Sequence, residues 1–342
     1  MAERSRQGRQ KTGPSIKDVA HLAGVSAQTV SRVSNGAHSV RPETRERVIA
    51  AMNQLGYSPN RAARALRNGT FGTIGVITQQ LRRTGESLTT SAIVQAAEDN
   101  GYSVTLIQVT NPETDDLRHA TFRISHQSID GLIVVRAGHA TYESLALPAG
   151  MPVAVSDSRM IGFFPSVTAD QVQGTRDAVQ HLLALGHRTV HHIAGAADSQ
   201  PSVVRAATWR RTLEEAGISA PEPWHGNWTA HSGYQIGQRI ALDPAITAVY
   251  CANDEMAFGL MRALYENGRH VPADVSVVGF DGIDLSEYAS PPLTTVRQDF
   301  DQIGRELLQL LLEQIKGTHA TRERVVVPTE LIVRGSTAAP PH

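Results

Sequence analysis

The sequence predicts a small all-α N-terminal head followed by an α/β core of two doubly wound parallel-sheet lobes. Three observations carry that reading. Residues 15–35, SIKDVAHLAGVSAQTVSRVSN, hold two short helical periods on either side of a glycine. From Thr73 onward, short apolar runs alternate with amphipathic helical stretches, the pattern of parallel sheets covered by helices. Charge is also divided. Residues 1–70 carry 12 Lys and Arg against 4 Asp and Glu and the remainder 20 against 29, although the 342-residue chain has a net charge of only −1.

Residues 1–14 form a polar, Arg-rich tail with no apolar segment, expected to be disordered and not a secretory signal. Ser15 is placed to cap a first helix over Ile16 to Ala23, with Asp18 completing a capping box and Ile16, Val19 and Ala20 facing inward. Gly24 stops that helix, Val25 plugs the corner, and Ser26 caps a second helix that starts at Ala27. Val30 and Val33 then pack inward, leaving Ala27, Gln28, Ser31 and Arg32 pointing away from the core. Gln and Arg are the side chains that make bidentate contacts with adenine and guanine edges. On a lone helix they would be a solvated polar face; within a capped helix-turn-helix they point to DNA. Pro42 opens a third helix to about Leu55, ended by Gly56, which completes a head over residues 15–58. Residues 59–70 form a linker that can be a short helix. With Arg61, Arg64 and Arg67 and little to bury, it is expected to form only against a support such as DNA. The basic head concentrates phosphate attraction, so its binding should weaken steeply with salt.

In the core the strand candidates are residues 73–78, 103–109, 131–135, 152–157, 189–195, 248–253 and 275–280. Seven or eight strands exceed one ordinary sheet half, hence two lobes. In such sheets ligands gather beyond the carboxyl ends of strands, which singles out Asp157, Asn253, Asp254 and Asp281. The single cysteine, Cys251, excludes an intrachain disulfide, fits a reducing compartment and reads as a small buried hydrophobe. No apolar stretch reaches the length of a membrane span, so a cytoplasmic protein is expected. Phosphate-loop, dinucleotide, zinc-protease and nucleophile-elbow motifs are absent, which argues against an enzyme. His191 and His192 are strand neighbours facing opposite sides and cannot share a metal; His187 and His319 lack ligand partners at metal spacing, so no metal or cofactor is expected.

With the helix-turn-helix, the basic linker and a two-lobed α/β body in place, the chain resembles the lactose-repressor/galactose-repressor (LacI/GalR) family from Ile16 to about Ser336. The motifs are DVAHLAGVSAQTVSRVSNG, RPETRERVIAAMNQLGYSPNRAARAL, LGHRTVHHIAG, CANDEMAFGLMRAL, VSVVGFDG and PPLTTVRQDF, in family order. The resemblance implies a helix-turn-helix headpiece, a hinge helix and a periplasmic-binding-protein-like core, acting as a homodimer on near-palindromic operator DNA. It implies an N-terminal lobe of residues 71–169 with 300–327 and a C-terminal lobe of 170–299 with 328–338. Ala27, Gln28 and Arg32 would occupy base-reading positions, while Thr29, Ser31 and Asn35 contact phosphate. Asn60, Ala63 and Leu66 would lie on the hinge helix against DNA, Leu66 wedging into the minor groove. Ala27 departs from the tyrosine of the family's archetype, so one base contact differs.

For the ligand cleft, the resemblance implies Asp157, Arg205, Trp228, Asn253, Asp281, Gln298 and Phe300 as contacts of a small sugar inducer. Their chemistry suits a carbohydrate: carboxylates and amides for hydroxyls, a guanidinium fork, and an aromatic face for a pyranose. Singly, Asp281 also suits a turn, Asn253 a helix cap and Trp228 a core aromatic; Asp299 and Phe300 lie where the chain is expected to cross between lobes. Residues 79–90 read as a loop longer and more polar than the archetype's. The chain ends at RGSTAAPPH without the leucine heptads that assemble tetrameric members, so a dimer is expected. The expected function is a sugar-released repressor, with a β-galactoside among the candidate ligands. The alternative within the family is a corepressor-dependent repressor of the purine type. A transport or chemotaxis sugar-binding protein is a third reading, opposed by the basic head.

Overall fold

The computed structural model describes residues 13–34, 39–57, 70–109, 116–125, 127–135, 147–148, 150–156, 161–318 and 323–341. The predicted positions Asn35, Asn60, Ala63, Leu66, Asp157 and His319 lie outside these, as do the tail before Gly13 and nearly all of the 59–70 linker. The chain divides into two units, Met1–Phe71 and Gly72–His342.

The first unit is built of three helices, α1 (Ile16–Ala23), α2 (Ala27–Ser34) and α3 (Pro42–Leu55). Ser15 and Asp18 form the full capping box: the Ser15 amide donates to the Asp18 carboxylate at 2.8 Å, and the Asp18 amide to the Ser15 hydroxyl at 3.4 Å. Gly24 ends α1 at φ 64°, where a β-carbon would be strained, and the Ser26 hydroxyl accepts from the Thr29 amide at 3.1 Å at the start of α2. Val19, Ala20, Ala23, Val30, Val33, Val48 and Ala51 form the core of this unit. It consists of small aliphatic side chains, with Ile16, Val25, Met52 and Leu55 closing its edges.

The second unit contains two six-stranded sheets. The first runs in the order β11-β5-β4-β3-β1-β2 and is parallel throughout, from β1 (Thr73–Thr78), β2 (Ser103–Gln108), β3 (Gly131–Val135), β4 (Val153–Ser156), β5 (Ser166–Ala169) and β11 (Arg324–Val327). The second runs β12-β10-β9-β8-β6-β7, from β6 (His191–Ala194), β7 (Trp224–His225), β8 (Ala248–Cys251), β9 (Ser276–Asp281), β10 (Thr294–Gln298) and β12 (Thr329–Ile332). It is parallel except that β12 pairs antiparallel to β10 at one edge. Twelve strands among the described residues exceed the seven or eight expected. The additional ones are short or lie at sheet edges, apart from β10, whose TTVRQ is polar at four of five positions and reads weakly as a strand.

Helices α4 (Thr84–Asp99) and α5 (Asp116–Ser125) accompany the first sheet, together with α11 (Phe300–Ile315). The second carries α6 (Gln171–Ala184), α7 (Gln200–Glu215), α8 (Ala230–Ile240), α9 (Asp254–Glu266) and the single turn α10 (Leu285–Tyr288). Helices α8 and α9 pack backbone to backbone: a β-carbon on Gly233 would lie 2.1 Å from the Met256 carbonyl oxygen. The chain crosses between the sheets three times, through Asp170, Asp299 and Pro328. Asp170 and Asp299 each cap the helix that follows, accepting from the Gln173 amide at 2.9 Å and the Gln302 amide at 2.7 Å. Residues 79–90 are not the single loop that their polarity predicts. Helix α4 begins at Thr84, and the buried Glu86 carboxylate folds back to accept from the Gln79 amide (3.2 Å), the Gln80 amide (2.7 Å) and the Thr78 hydroxyl (3.1 Å). A polar stretch is thereby converted into a capped turn between β1 and α4.

Candidate functional site

The head presents Gln28 and Arg32 as exposed residues of α2, four positions apart and so on one helical face. Thr29 and Ser31 beside them are half-buried. Ala27 corrects an expectation: it does not point away from the core but is half-buried and packed against it, because the first residue of α2 sits over the corner closed by Val25.

In the second unit, Arg205 of α7 is the hub of a buried polar cluster and is itself 1% exposed. Its Nε donates to Gln171 Oε1 at 2.7 Å, its Nη1 donates to the Ala252 carbonyl, and the same nitrogen lies 3.6 Å from Asp281 Oδ1. Gln298 donates its amide to that Asp281 oxygen at 2.6 Å and accepts from Gln171 at 3.4 Å. The guanidinium carbon lies over the Phe280 ring, 3.6 Å from its centre, and 5.7 Å from the centre of the Trp228 ring, so two aromatic faces and a carboxylate compensate its burial. Asn253 caps α9, accepting from the Met256 amide at 3.1 Å, while its amide nitrogen donates to the Trp228 carbonyl at 3.0 Å and to Glu255 at 2.6 Å.

Two residues of this cluster hold unusual backbones: Trp228 at φ 75° and Asp281 at φ 112° are non-glycine residues in the left-handed region. The Trp228 ring is pressed against Gly195, where a β-carbon would meet it at 2.3 Å, and its buried indole Nε1 has no hydrogen-bond partner among the described residues. A buried donor without a partner is costly in a folded protein, and this one belongs to the ring that the Arg205 guanidinium lies over.

Asp254 follows Asn253 and is fully buried. Its carboxylate accepts from Thr295 Oγ1 at 2.5 Å, Ser286 Oγ at 2.7 Å and the Ile283 amide at 3.0 Å, which fixes the loop after β9. Burial, and then the nearby Asp281 charge, push its pKa up to about 7 against these three donors. That loop helps to line a cavity of about 870 Å³ between the lobes, whose walls include Thr84, Leu88, Leu285, Gln298, Phe300 and Glu330. Of the predicted ligand residues that are described, only Gln298 and Phe300 face this cavity; Arg205, Trp228, Asn253 and Asp281 are joined to one another instead. Phe300 is the first residue of α11, one position past the crossing at Asp299.

Two residues of the site escaped the sequence reading. Gln171 bridges Arg205 and Gln298, and Glu255 holds Asn253. Gln171 follows directly on Asp170 at a crossing between lobes, the one signal in the sequence that could have singled it out. His192 is buried, stacked on Tyr250 at 4.8 Å, with Nδ1 donating to the Tyr250 carbonyl at 2.9 Å. Burial pushes its pKa down to about 3, so it is neutral. His191 faces the other way, with its ring 5.5 Å from that of Trp224. His187 bonds Thr247 at 2.9 Å and the Ala338 carbonyl at 3.0 Å, and burial lowers its pKa too. Burial also raises the Cys251 thiol. No group of His, Cys, Asp and Glu among the described residues is arranged to hold a metal, and none of their helices is long and apolar enough to cross a membrane.

Comparison with known proteins fits both parts. Residues 15–60 match the family of bacterial regulatory proteins of the lacI type, and residues 179–337 match the periplasmic binding protein-like domain. The chain is 36% identical over 337 residues to the lactose operon repressor of Escherichia coli (strain K12), covering 95% of this chain and 91% of that protein. It is 31% identical over 331 residues to the HTH-type transcriptional repressor PurR of Mannheimia succiniciproducens, covering 94% and 98%. Among solved structures, the lac repressor dimer bound to operator and the anti-inducer ONPF superposes with a TM-score of 0.84 at 34% identity, over 96% of this chain and 100% of that one. The chain belongs to the lacI family and is a DNA-binding transcriptional repressor. The relatives it matches are repressors and not enzymes.

Proposed function

We propose that this repressor is a homodimer that holds a near-palindromic operator when empty and releases it when a small glycoside binds between the lobes. The observation that carries the ligand class is the joined set of Arg205 from α7 with Asp281, Gln298, Asn253 and Trp228 at or just past the carboxyl ends of the second sheet's strands. Two carboxamides, a carboxylate and a guanidinium beside an indole ring match the alternating hydroxyls and apolar face of a pyranose. Asp157 joins this set by its family position. A β-galactoside is the first candidate, because the resemblance to the lactose repressor extends over nearly the whole chain.

In this reading the switch works through the crossings. Gln171 and Gln298 each lie beside one of the three segments that join the lobes, and both are tied to Arg205 or Asp281. A ligand that takes over Arg205, Asp281 and Gln298 replaces those ties and shifts the favoured angle between lobes. To act as an inducer, it must bind the DNA-free arrangement more tightly than the DNA-bound one. At the operator, Gln28 and Arg32 read base edges in the major groove, and Thr29, Ser31 and Asn35 hold phosphates. Asn60, Ala63 and Leu66 of the linker act in the minor groove, Leu66 as the wedge.

The similarity to PurR favours a second reading, in which the occupied protein is the one that binds operator. Calorimetric titration with a panel of mono- and disaccharides and free purine bases separates the ligand classes. Binding of a glycoside that is lost in Arg205→Ala supports the first; binding of a purine base and of no sugar overturns it.

A further inference from the structure

We infer that Glu255 is a positioning residue that wires Asn253 to the opposite lobe, so that the state of this buried amide is felt at the start of α4. This rests on the reading of Asn253 as a ligand contact. Glu255 is the second residue of α9, in the second-sheet lobe. Its Oε1 accepts from the hydroxyl of Thr84, the first residue of α4 in the first-sheet lobe, and its Oε2 accepts from Asn253 Nδ2 at 2.6 Å. One carboxylate therefore carries two donors from two lobes.

The valence count makes this a switch. A carboxamide nitrogen has two hydrogens, and Asn253 has committed one to the Trp228 carbonyl at 3.0 Å and the other to Glu255. Its Oδ1 is committed to the Met256 amide at 3.1 Å. Asn253 has no free donor for a ligand hydroxyl and can bind one only by releasing Trp228 or Glu255. The Trp228 carbonyl belongs to a backbone at φ 75° whose ring is wedged against Gly195, so it has little room to move. The Glu255 side chain is longer and only half-buried, and it gives way first. Once Asn253 turns to a ligand oxygen, Glu255 loses the donor that fixes its position, and its hold on Thr84 weakens. Thr84 also lines the large inter-lobe cavity, so the loosened contact lies on a wall of the cleft.

Thr84 and Asn253 share no hydrogen bond of their own, which supplies a test. A double-mutant cycle between Thr84→Val, which keeps shape and removes the hydroxyl, and Asn253→Ser, which keeps a helix-capping oxygen and removes the amide, is measured by urea unfolding of the full chain. The two substitutions are expected to be non-additive by about five-fold in the unfolding constant, and additive when repeated in a Glu255→Ala background. Should Asn253→Ser not fold, a cycle between Thr84→Val and Glu255→Gln reads the inter-lobe bond directly, with coupling of similar size. Additivity with Glu255 present, or coupling that survives its removal, overturns the inference. The cycle uses no ligand, so it is independent of the sugar reading, which is probed with methyl β-D-galactopyranoside by calorimetry on the unsubstituted protein. Coupling without heat of binding sinks the sugar alone; heat without coupling sinks the wire alone.

Discussion

The head and the second-sheet lobe place their working residues in opposite ways. In the head, Gln28 and Arg32 stand exposed on a helix whose caps and core are complete without them. In the lobe, Arg205, Asp281, Gln298 and Asn253 are all buried, and each is bonded to another member of the cluster or to the backbone beside it. A surface that reads a rigid duplex can keep its readers free of the fold. A cleft that must change shape when filled gains from readers that also hold the fold together, because displacing them is what transmits the signal.

If that contrast is right, substitutions in the two regions should separate stability from binding in different ways. The largest effect is expected for Arg205→Ala, which leaves Asp281 buried without its counter-charge and should cost about 3–5 kcal/mol of core stability by urea unfolding, together with all ligand response. Gln28→Ala should do the reverse. Operator affinity should fall by about 1–3 kcal/mol in fluorescence anisotropy, with the unfolding curve unmoved. Gly233→Ala, which places a methyl against the Met256 carbonyl, should cost about 1–3 kcal/mol in the core and leave operator contacts intact.

The lobe should also carry a pH dependence through two buried groups with opposite slopes. His192 is held near pKa 3 against 6.5 when unfolded, so the unfolded chain binds the extra proton and stability falls as pH drops from about 6.5 towards 3. Asp254 is held near 7 against 3.8, so the native state binds the extra proton. Its contribution is complete below about 4 and is lost as pH rises through 7. Asp254→Asn should therefore remove a fall in stability between pH 4 and 7, measured by thermal unfolding across that range. His192→Phe should remove a rise over pH 3 to 6.5. The smallest effect is expected in the head: Ser15→Ala removes the hydroxyl arm of the capping box, leaves the backbone amide's bond to Asp18, and should cost α1 about 1 kcal/mol, read by its helix signal on heating.

The same contrast explains what could be read in the sequence. The caps at Ser15 and Ser26, the stop at Gly24 and the inward face of Val19, Ala20, Val30 and Val33 are set by residues within a few positions of one another, so local rules find them. Only Ala27 was turned wrongly, because whether the first residue of a helix faces in or out depends on the corner that precedes it. The alternation of strands and helices likewise revealed two lobes, although the short and edge strands β5, β7, β11 and β12 carry too few residues for any period to show. Of the cluster, Asn253 and Asp281 were legible from the carboxyl ends of apolar runs, while Arg205, Trp228 and Gln298 were legible only through resemblance. Gln171 lies 34 positions from Arg205 and 127 from Gln298, and no spacing links them until the fold does. Glu86 was hidden for a related reason: a polar run reads as loop unless the acid within it is seen to cap the turn beneath.

The central claim is that filling the cleft loosens the grip on DNA. Its most direct test is a fluorescence-anisotropy titration of the full-length protein on an operator selected from random sequence, with and without saturating methyl β-D-galactopyranoside, in unsubstituted and Arg205→Ala forms. The account predicts weaker operator binding on adding the glycoside, by at least about ten-fold, and no change for Arg205→Ala. Tighter operator binding on adding the glycoside would contradict it.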